Sequence, residues 1–403
     1  MDSLTQIILG AAVGELVLGK KIGNRAMLWG AVGGTIPDLD VLGKFFLSNI
    51  DNLAFHRGIS HSIFFAIIAS VIMGWLVRYI YNSPYHKWVA VFTKALATIL
   101  IGFAVHFVFT IFMPGNYLPT ILAAVVLGVV LYFTSKKSYF SNQWEMPNAS
   151  LRNWQWLFFW SIFTHPILDC FTMYGTQLFA PFSDYRVAWS TVSVVDFGYT
   201  LPFLICLIVA ACYYREAKGR RYWNYAGLIL STSYLMLTVV NKQRANSIFE
   251  QAIKQQNIPA ERYITGPTIL NNILWSTTVE TKNHFYIGQH SFFDEVPVRF
   301  NRIDKNHQLL KGLNSDPTIA TLRWFSKDYF NVIQLDSTYQ FNDLRFGTFR
   351  GEGTSKDDYI FKFQLKDNGN GQYAMEDAKG GPPKDGASSL LNELIGRIKG
   401  IKK

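Results

Sequence analysis

Cysteine is scarce in this sequence, which has three in 403 residues: Cys170, Cys206 and Cys212. They show no CxxC spacing and no even-numbered framework, which excludes a protein built on a disulfide scaffold. A cleavable signal peptide is also not expected. Residues 1–18 carry Asp2 and Glu15, lack a basic start and show no cleavage site before the basic segment that follows.

Charged residues are sparse up to about Val240, where Leu, Ile, Val, Phe, Ala, Trp and Tyr dominate, and they become frequent after Asn241. A membrane span needs about 20 mostly apolar residues. The good candidate spans are 62–81, 91–113, 117–134, 192–214 and 222–240, and the weaker ones are 4–18, 26–47 and 151–170. We therefore expect an α-helical polytopic membrane bundle of about eight helices over residues 1–240, followed by a small β-rich soluble domain.

The net charge of +10 would suit a nucleic-acid-binding protein, but the lysines and arginines cluster at helix ends and in the tail. Anchoring of basic loops on the cytoplasmic side and attraction to anionic lipid account for the charge, so membrane lipids are expected as partners and nucleic acid is not. Every second predicted loop is basic, which places those loops in the cytoplasm. The N-terminus and the domain after residue 241 are then predicted on the outer side.

Three short clusters of histidine and aspartate interrupt the apolar half: PDLD at 37–40, HRGISH at 56–61 and THPILD at 164–169. Ionisable groups are costly in hydrocarbon and rarely occur there without a partner or a function. In the predicted topology all three clusters lie in the outer parts of their helices, at a similar depth. Because histidine and carboxylate are ligands of divalent metals, we predict one metal site inside the bundle.

For each of the two clusters that contain aspartate, a structural role is the alternative to metal ligation. His165 and Asp169 are spaced i, i+4 and share one helix face, which suits two ligands of one ion. The alternative is a buried histidine that bonds its neighbouring aspartate. Asp38 and Asp40 follow two glycines and a proline that break the second helix, and such a break is tolerated where it lines a cavity. The alternative is a helix cap by Asp38 or Asp40. A cap would use a single acid, so the presence of two acids favours metal ligation.

The segment between His56 and His61 must turn, since residues five apart do not share a helix face, and Gly58 permits the turn. Ser60 is a candidate cap for the next helix. Arg57, beside that helix N-terminus, is predicted to clamp a phosphate or carboxylate. Its alternative role is an arginine that reaches to lipid headgroups. The supporting candidates are Gln6, Glu15 and Asp196.

Several segments resemble one known family: MDSLTQIILGAAVGE, PDLD, HRGISHS, THPILDCFTMYGTQLFAPFSDYR and SVVDFGYTLP. They are similar to the YdjM-type membrane-bound, metal-dependent hydrolases of bacteria, and residues 266–300 resemble an extension found in one branch. The resemblance implies a multi-pass protein of the bacterial cytoplasmic membrane. It also implies metal ligation by Asp38, Asp40, His56, His61, His165 and Asp169. Many members carry His where this chain has Gln6.

A divalent metal lowers the pKa of bound water to about 7 and polarises an ester oxygen. The predicted function is therefore hydrolysis of an ester or phosphoester, in an anionic lipid or lipid-linked substrate. Asp38 or Asp40 is a candidate general base, and Arg57 the anion clamp. Zinc is the first metal expected, with manganese or magnesium favoured if carboxylates dominate. An ion- or proton-coupled transporter and a non-catalytic protein with a structural metal stay open as alternatives.

The polar half is assigned to a β-rich domain over residues 241–365, beginning with a helical continuation of the last span. Residues 271–300 and 331–365 alternate polar with β-branched and aromatic residues, which is typical of antiparallel strands. The remainder, 366–403, is predicted as a flexible linker up to 387 and a basic amphipathic helix from 388. That helix suits an anionic membrane surface, or alternatively docks on its own domain.

Overall fold

A computed structural model of the protein describes residues 1–92, 94–95, 98–99, 102, 118–139, 146–313, 316–336, 338–349, 353, 355–369, 372–377 and 386–402. The helices introduced here are α1 (Ser3–Ile22), α2 (Asn24–Thr35), α3 (Asn49–Phe55), α4 (Ile63–Asn82), α5 (Leu118–Tyr139), α6 (Leu151–Cys170), α7 (Phe197–Cys212), α8 (Lys218–Gln255), α9 (Pro317–Ser326) and α10 (Gly386–Ile398). Short polar residues start several of them: the side chains of Asp2, Ser62, Ser150 and Asp196 accept backbone N–H bonds at the starts of α1, α4, α6 and α7.

α1 and α2 pack closely through glycines spaced four residues apart, Gly10 and Gly14 on one helix and Gly30 and Gly34 on the other. A Cβ on Gly14 would lie 2.8 Å from Gly30 Cα, and one on Gly34 would lie 2.6 Å from the Gln6 carbonyl oxygen. Small residues in this pattern let helix backbones approach closely. The glycine seam therefore fixes where the end of α2 stands against α1.

The apolar core of the helical region lies between α1, α2, α4 and α6. Trp29, Trp154 and Phe158 are nearly inaccessible to solvent, and the Trp29 ring meets the other two edge to face. Aromatic pairs in this arrangement add to the stabilisation from burial alone. α7 and α8 pair with each other beside this group and also contact α1.

Among the residues that the structure describes, α1 and α4 are long and apolar enough to cross a membrane. The prediction of about eight spans is thus not confirmed. α6 has the same bounds as the predicted span 151–170, and most of the predicted span 91–113 lies outside the described residues. Span 192–214 is shortened, since its first residues form a loop that Asp196 ends by capping α7.

The predicted break of the second helix by its glycines and proline, within the candidate span 26–47, is confirmed. α2 ends at Thr35, and a 3-10 helix follows over Pro37–Phe45. Proline removes a backbone donor and clashes with the preceding turn, so the α-helix stops before it. The tighter winding turns Asp38 and Asp40 toward different neighbours, as described below.

The C-terminal region contains two four-stranded antiparallel sheets, each with its strands in chain order. The first has β1 (Arg262–Pro267), β2 (Leu274–Glu280), β3 (His284–Ser291) and β4 (Phe300–Asp304). The second has β5 (Phe330–Leu335), β6 (Thr338–Asp343), β7 (Lys362–Asp367) and β8 (Tyr373–Asp377). α9 packs on the second sheet through Ile319, Leu322 and Phe325. Leu53 of α3 packs in the same core and so connects the second sheet to the helical region.

The prediction of a linker from residue 366 is corrected by β8. Residues 373–377 pair with β7, and Met375 faces the core opposite Leu365. The Asn368 N–H donates to the Gln372 carbonyl at 2.9 Å, directly after β7 and before β8. α10 lies against the first sheet, with Arg397 paired to Asp294 at 2.6 Å.

Candidate metal centre

Two buried histidines face each other at the end of α6 nearest the β-rich domain. The His61 and His165 Nε2 atoms are 3.1 Å apart, and both rings are inaccessible to solvent. His165 comes from α6, whereas His61 ends the short 3-10 helix that precedes α4. Residues 104 positions apart in sequence thus meet at one point.

The partners of the other ring nitrogens indicate where the protons lie. His165 Nδ1 is 2.6 Å from the Gly34 carbonyl oxygen, which accepts but cannot donate. His61 Nδ1 is 3.3 Å from Asp40 Oδ2 and 3.0 Å from Ser60 Oγ. Each Nδ1 therefore carries the proton, and the two Nε2 lone pairs point at each other. A cation between them relieves that repulsion, and metal-bound histidines are oriented through the other nitrogen in this way.

Two carboxylates complete the arrangement. Asp38 Oδ1 is 3.3 Å from His165 Nε2 and 3.6 Å from His61 Nε2. Asp169 Oδ2 is 3.5 Å and 3.4 Å from the same two nitrogens. Asp169 is fully buried, and its Oδ2 has no hydrogen-bond partner among the described residues. Arg57 Nε, 3.2 Å from this oxygen, is its ion-pair partner, and a metal cation at this position would stabilise the buried carboxylate further.

These separations match the edges of a small coordination polyhedron. In a tetrahedral zinc site with bonds of about 2.0–2.1 Å, neighbouring ligand atoms lie about 3.3 Å apart. The separations within Asp38, His61 and His165 are 3.1, 3.3 and 3.6 Å. Asp169 Oδ2 is 3.4 and 3.5 Å from the two histidine nitrogens but does not belong to the group in which all ligand atoms are mutually close. Asp38, His61 and His165 alone form a group whose ligand atoms all lie within 4.8 Å of one another. The residues present therefore fit a divalent metal.

Asp40 lies behind His61, so its predicted place among the ligands needs correction. Its Oδ1 is 2.9 Å from His56 Nδ1, and its Oδ2 accepts the Arg57 backbone N–H at 2.8 Å and the Ser60 hydroxyl at 3.2 Å. Both oxygens are thus occupied, and the carboxylate orients the His61 ring through Nδ1. Residues two apart in a helix point to different sides, about 120° apart in a 3-10 helix, so Asp38 and Asp40 do not face the same group.

His56 is placed at the rim. Its side chain is 32% exposed, and its ring centroid is 6.2 Å from that of His61. Because His56 Nδ1 bonds Asp40, its Nε2 lies on the side of the ring away from that carboxylate. His56 and Asp40 thus form a histidine–aspartate pair beside the candidate metal ligands, and His56 is not one of the converging ligands.

Arg57 is buried beside the cluster in a left-handed backbone conformation, with φ of 56°. Its Nη1 donates to Thr172 Oγ1 at 2.8 Å, its Nε lies 3.2 Å from Asp169 Oδ2, and its guanidinium carbon is 5.0 Å from the Tyr174 ring centre. A non-glycine residue in this conformation is uncommon and costs about 1–3 kcal/mol, and it persists where surrounding contacts hold it. The alternative of an arginine extended to headgroups does not fit this burial.

The supporting candidates separate into two groups. Gln6 donates to Asp169 Oδ1 at 3.0 Å and to the His165 carbonyl at 3.2 Å, and the Met1 amino group also contacts Asp169. Ser60 touches the cluster as described, whereas Ser62 caps α4. Glu15 lies elsewhere, paired with Arg220, and Asp196 accepts the Tyr234 hydroxyl at 2.9 Å. Neither Glu15 nor Asp196 joins the site.

Sequence reasoning missed Arg186, which supports the site from the β-rich side. Its Nη2 donates to the carbonyls of Ala54 and His56 at 3.1 and 2.8 Å, and its guanidinium lies 5.0 Å from the Trp324 ring centre. It thereby holds the backbone that leads into His56 and Arg57. The sequence contained an indication of its importance, because Arg186 is the one lysine or arginine in the predicted outer loop 171–191.

The arrangement defines a helical membrane protein with a histidine–aspartate centre at the end of its helices. More narrowly, the chain belongs to the YdjM inner membrane protein family, whose match covers residues 1–115 and 118–245. The matched range includes every residue of the centre, and the resemblance predicted from the motifs is confirmed. The chain is also similar to the uncharacterized protein YfhP of Bacillus subtilis (strain 168), at 22% identity over 361 residues, with 84% of this chain and 87% of that protein covered. No solved structure matches the chain significantly.

Proposed function

We propose that this protein is a membrane-embedded, metal-dependent hydrolase that cleaves an ester or phosphoester of a lipid or lipid-linked substrate. The observation that carries the proposal is the pair of histidine Nε2 atoms 3.1 Å apart, flanked by two carboxylates at 3.3–3.6 Å. His61, His165, Asp38 and Asp169 would hold the metal. A zinc ion there would activate water near neutral pH and polarise the ester oxygen. The two histidine nitrogens among the ligands favour zinc over magnesium, which prefers oxygen ligands.

The other residues of the centre have distinct roles in this proposal. Asp40 keeps the His61 proton on Nδ1, so that Nε2 stays available as a ligand. His56, half-buried at the rim and bonded to Asp40 through Nδ1, transfers a proton at its Nε2 to or from water or the leaving group. This replaces Asp40 as the general base, since both Asp40 oxygens are occupied. Arg57, which already contacts Thr172 and Asp169, would bind an anionic oxygen of the substrate in this proposal.

A lipid substrate is supported by the surface beside Asp38. The 3-10 segment that carries Asp38 exposes Leu39, Leu42 and Phe45, and Phe46 directly after it is 87% exposed. Exposed apolar residues of this size mark contact with a membrane or an apolar ligand. Asp38 itself is 19% exposed at the side chain, which leaves access to the centre from that surface.

The test is metal analysis of the detergent-purified protein together with hydrolysis of phospholipids, neutral esters and a soluble aryl phosphodiester. We expect a bound divalent metal that is lost in His61→Ala and His165→Ala, with activity lost in parallel. His284→Ala is the matched control, because His284 is a partly exposed histidine on β3 paired with Asp304. Absence of metal in the wild type would refute the proposal. Bound metal without any hydrolysis would favour a structural ion.

We further propose that the centre and the β-rich domain lie on the extracytoplasmic side. A cysteine in place of Lys311, exposed in the β-rich domain, should react with an impermeant thiol reagent in intact cells. A cysteine in place of Lys218, the first residue of α8, should be protected. Both belong in a Cys212→Ser background, because Cys212 is itself exposed. The opposite labelling pattern would place the centre in the cytoplasm.

A further inference from the structure

A second cavity lies at the other end of the helical region. It has a volume of about 450 Å³ and is lined by the last turn of α1, the start of α2, residues that precede α6 and the loop between α7 and α8. The residues that matter here are Lys20, Lys21, Arg25, Asn148, Arg215 and Glu216. The histidine–aspartate centre stands at the start of α1 and the end of α6, so the two sites are at opposite ends of the same helices.

The lining of this cavity is strongly basic. Four side chains carry positive charge and a single carboxylate, Glu216, opposes them. That carboxylate accepts from Arg215 Nε at 2.7 Å, and Lys21 Nζ donates to the neutral Asn153 Oδ1 at 2.9 Å. The lining itself therefore contains four cations and one carboxylate. Such a group of cations with few acids is a recognition surface for an anion.

The position of the cavity identifies the kind of anion. α6 has 20 residues, and a helix of that length spans roughly 30 Å, about the thickness of the hydrocarbon core. Lys21 reaches Asn153 in the first turn of α6, so the cavity sits where the lipid headgroups lie. Tyr214, 88% exposed, flanks Arg215 at the same level. Exposed tyrosines are enriched at this depth of a membrane protein.

We infer that this cavity binds the phosphate headgroup of an anionic phospholipid, with the acyl chains along the adjoining apolar helix surfaces. Basic pockets between helices on the cytoplasmic side of a membrane bind such headgroups. The inference is independent of the proposed hydrolysis, because none of these residues touches the histidine–aspartate centre. It assigns a lipid-binding role to the α1–α2 turn and the α7–α8 loop.

The test compares lipid-dependent thermal stability of the full-length protein in a neutral detergent. Phosphatidylglycerol, phosphatidylcholine and inorganic phosphate are titrated separately. The site variant is Lys20→Gln/Lys21→Gln/Arg215→Gln, and the matched control is Lys282→Gln/Arg299→Gln/Lys311→Gln, which removes the same charge from exposed positions of the β-rich domain. Metal content and circular dichroism serve as checks of folding.

We expect phosphatidylglycerol, but not phosphatidylcholine, to raise the melting temperature of the wild type and the control variant. The site variant should need at least fivefold more phosphatidylglycerol for the same rise. If the triple variant does not fold, Lys20→Gln alone should show a weaker shift in the same direction. Equal responses of site and control variants would overturn the inference. An equal response of the wild type to inorganic phosphate would also overturn it, since the site would then bind free anions.

Discussion

Two buried groups of charged residues lie near opposite ends of α1, and they differ in how fully their polar atoms are bonded. Near its C-terminal end, Glu15 accepts from Arg220 Nε at 2.6 Å, and Arg220 Nη1 donates to Asn24 Oδ1 at 2.5 Å and to the Tyr213 carbonyl at 3.2 Å. A second Arg220 nitrogen bonds the other Glu15 oxygen. This group is a bidentate ion pair with additional acceptors, and it ties α1 and α2 to α8.

At the other end, the histidine–aspartate centre keeps several buried atoms without a hydrogen-bond partner among the described residues. They are Gln6 Oε1, and Asp169 Oδ2 and Arg57 Nε, which form an ion pair at 3.2 Å without a hydrogen bond. Buried polar atoms are normally hydrogen-bonded, so each exception requires an explanation. The comparison shows that two equally buried groups of charges differ in hydrogen bonding: the Glu15–Arg220 pair is fully bonded, whereas the centre in which candidate metal ligands converge is not.

The largest effect is expected from breaking the ion pair on one side only. Arg220→Met leaves the Glu15 carboxylate buried without a partner and should lower the free energy of unfolding by about 3–5 kcal/mol. Glu15→Gln/Arg220→Met removes both charges and should restore part of that loss. Thermal denaturation in detergent measures both. A single variant as stable as the wild type would mean that water reaches this pair.

Metal addition should act only on the incompletely bonded centre. A divalent ion at about 100 times its Kd would stabilise the folded protein by about 2.7 kcal/mol, because it binds the folded state alone. The rise in melting temperature should vanish in His165→Ala and persist in Glu15→Gln/Arg220→Met. A chelator should reverse it. The same rise in His165→Ala would place the metal elsewhere.

Variants of the buried Arg57 and of His56 at the rim should separate catalysis from metal binding. Arg57→Ala should keep the metal yet lower kcat/KM about 30-fold, as expected for loss of a charge-assisted hydrogen bond of about 2 kcal/mol. Arg57→Lys should restore only part, because lysine lacks the planar fork. His56→Ala should also retain the metal and lose activity. If either alanine variant loses metal as His61→Ala does, that residue supports the centre structurally.

The smallest effect is expected at a partly exposed ion pair, Asp294 with Arg397, which holds α10 on the first sheet. Burial raises the pKa of Asp294, but bonds from Arg397 and two backbone N–H groups outweigh burial and lower that pKa below its usual value. Such a carboxylate stabilises the fold above its unfolded pKa of about 3.9, and the contribution is lost as the pH falls through the folded pKa.

The protection factors of the α10 amides, which are exchange rates corrected for the intrinsic pH dependence of exchange, should therefore fall below about pH 4 in the wild type. Arg397→Ala should show faster exchange already at pH 7, by about two- to fivefold, since exposed ion pairs contribute up to about 1 kcal/mol. The rest of the first sheet is the internal control. Unchanged exchange in Arg397→Ala would show that apolar contacts alone hold this helix.

The sequence predicted the clusters well because their chemistry is unusual for an apolar region. Asp38, His61 and His165 come together as the histidine–aspartate pattern indicated. It could not decide which aspartate of PDLD faces the histidines, because that depends on the 3-10 winding after Pro37. Glu15 was placed too near the site since nothing local shows its partner, Arg220, which lies 205 residues away.

The fold was predictable to a similar extent. Alternation of polar and apolar residues located most strands, whereas β8 was hidden because a run of asparagine and glycine suits both a hairpin turn and a linker. The number of membrane spans was not predictable from hydropathy alone. α2 is too short to cross a membrane, and its glycines serve contact with α1.

The glycine seam between α1 and α2 has a consequence for the tolerance of this protein to mutation. The Gly34 carbonyl accepts from His165 Nδ1 at 2.6 Å, and Gly34 itself has no room for a methyl group beside α1. Any side chain at Gly30 or Gly34 would push α2 outward and carry that acceptor away from the imidazole. In a saturation-mutagenesis map, these glycines should be as intolerant as the ligands, although they contribute no reactive atom.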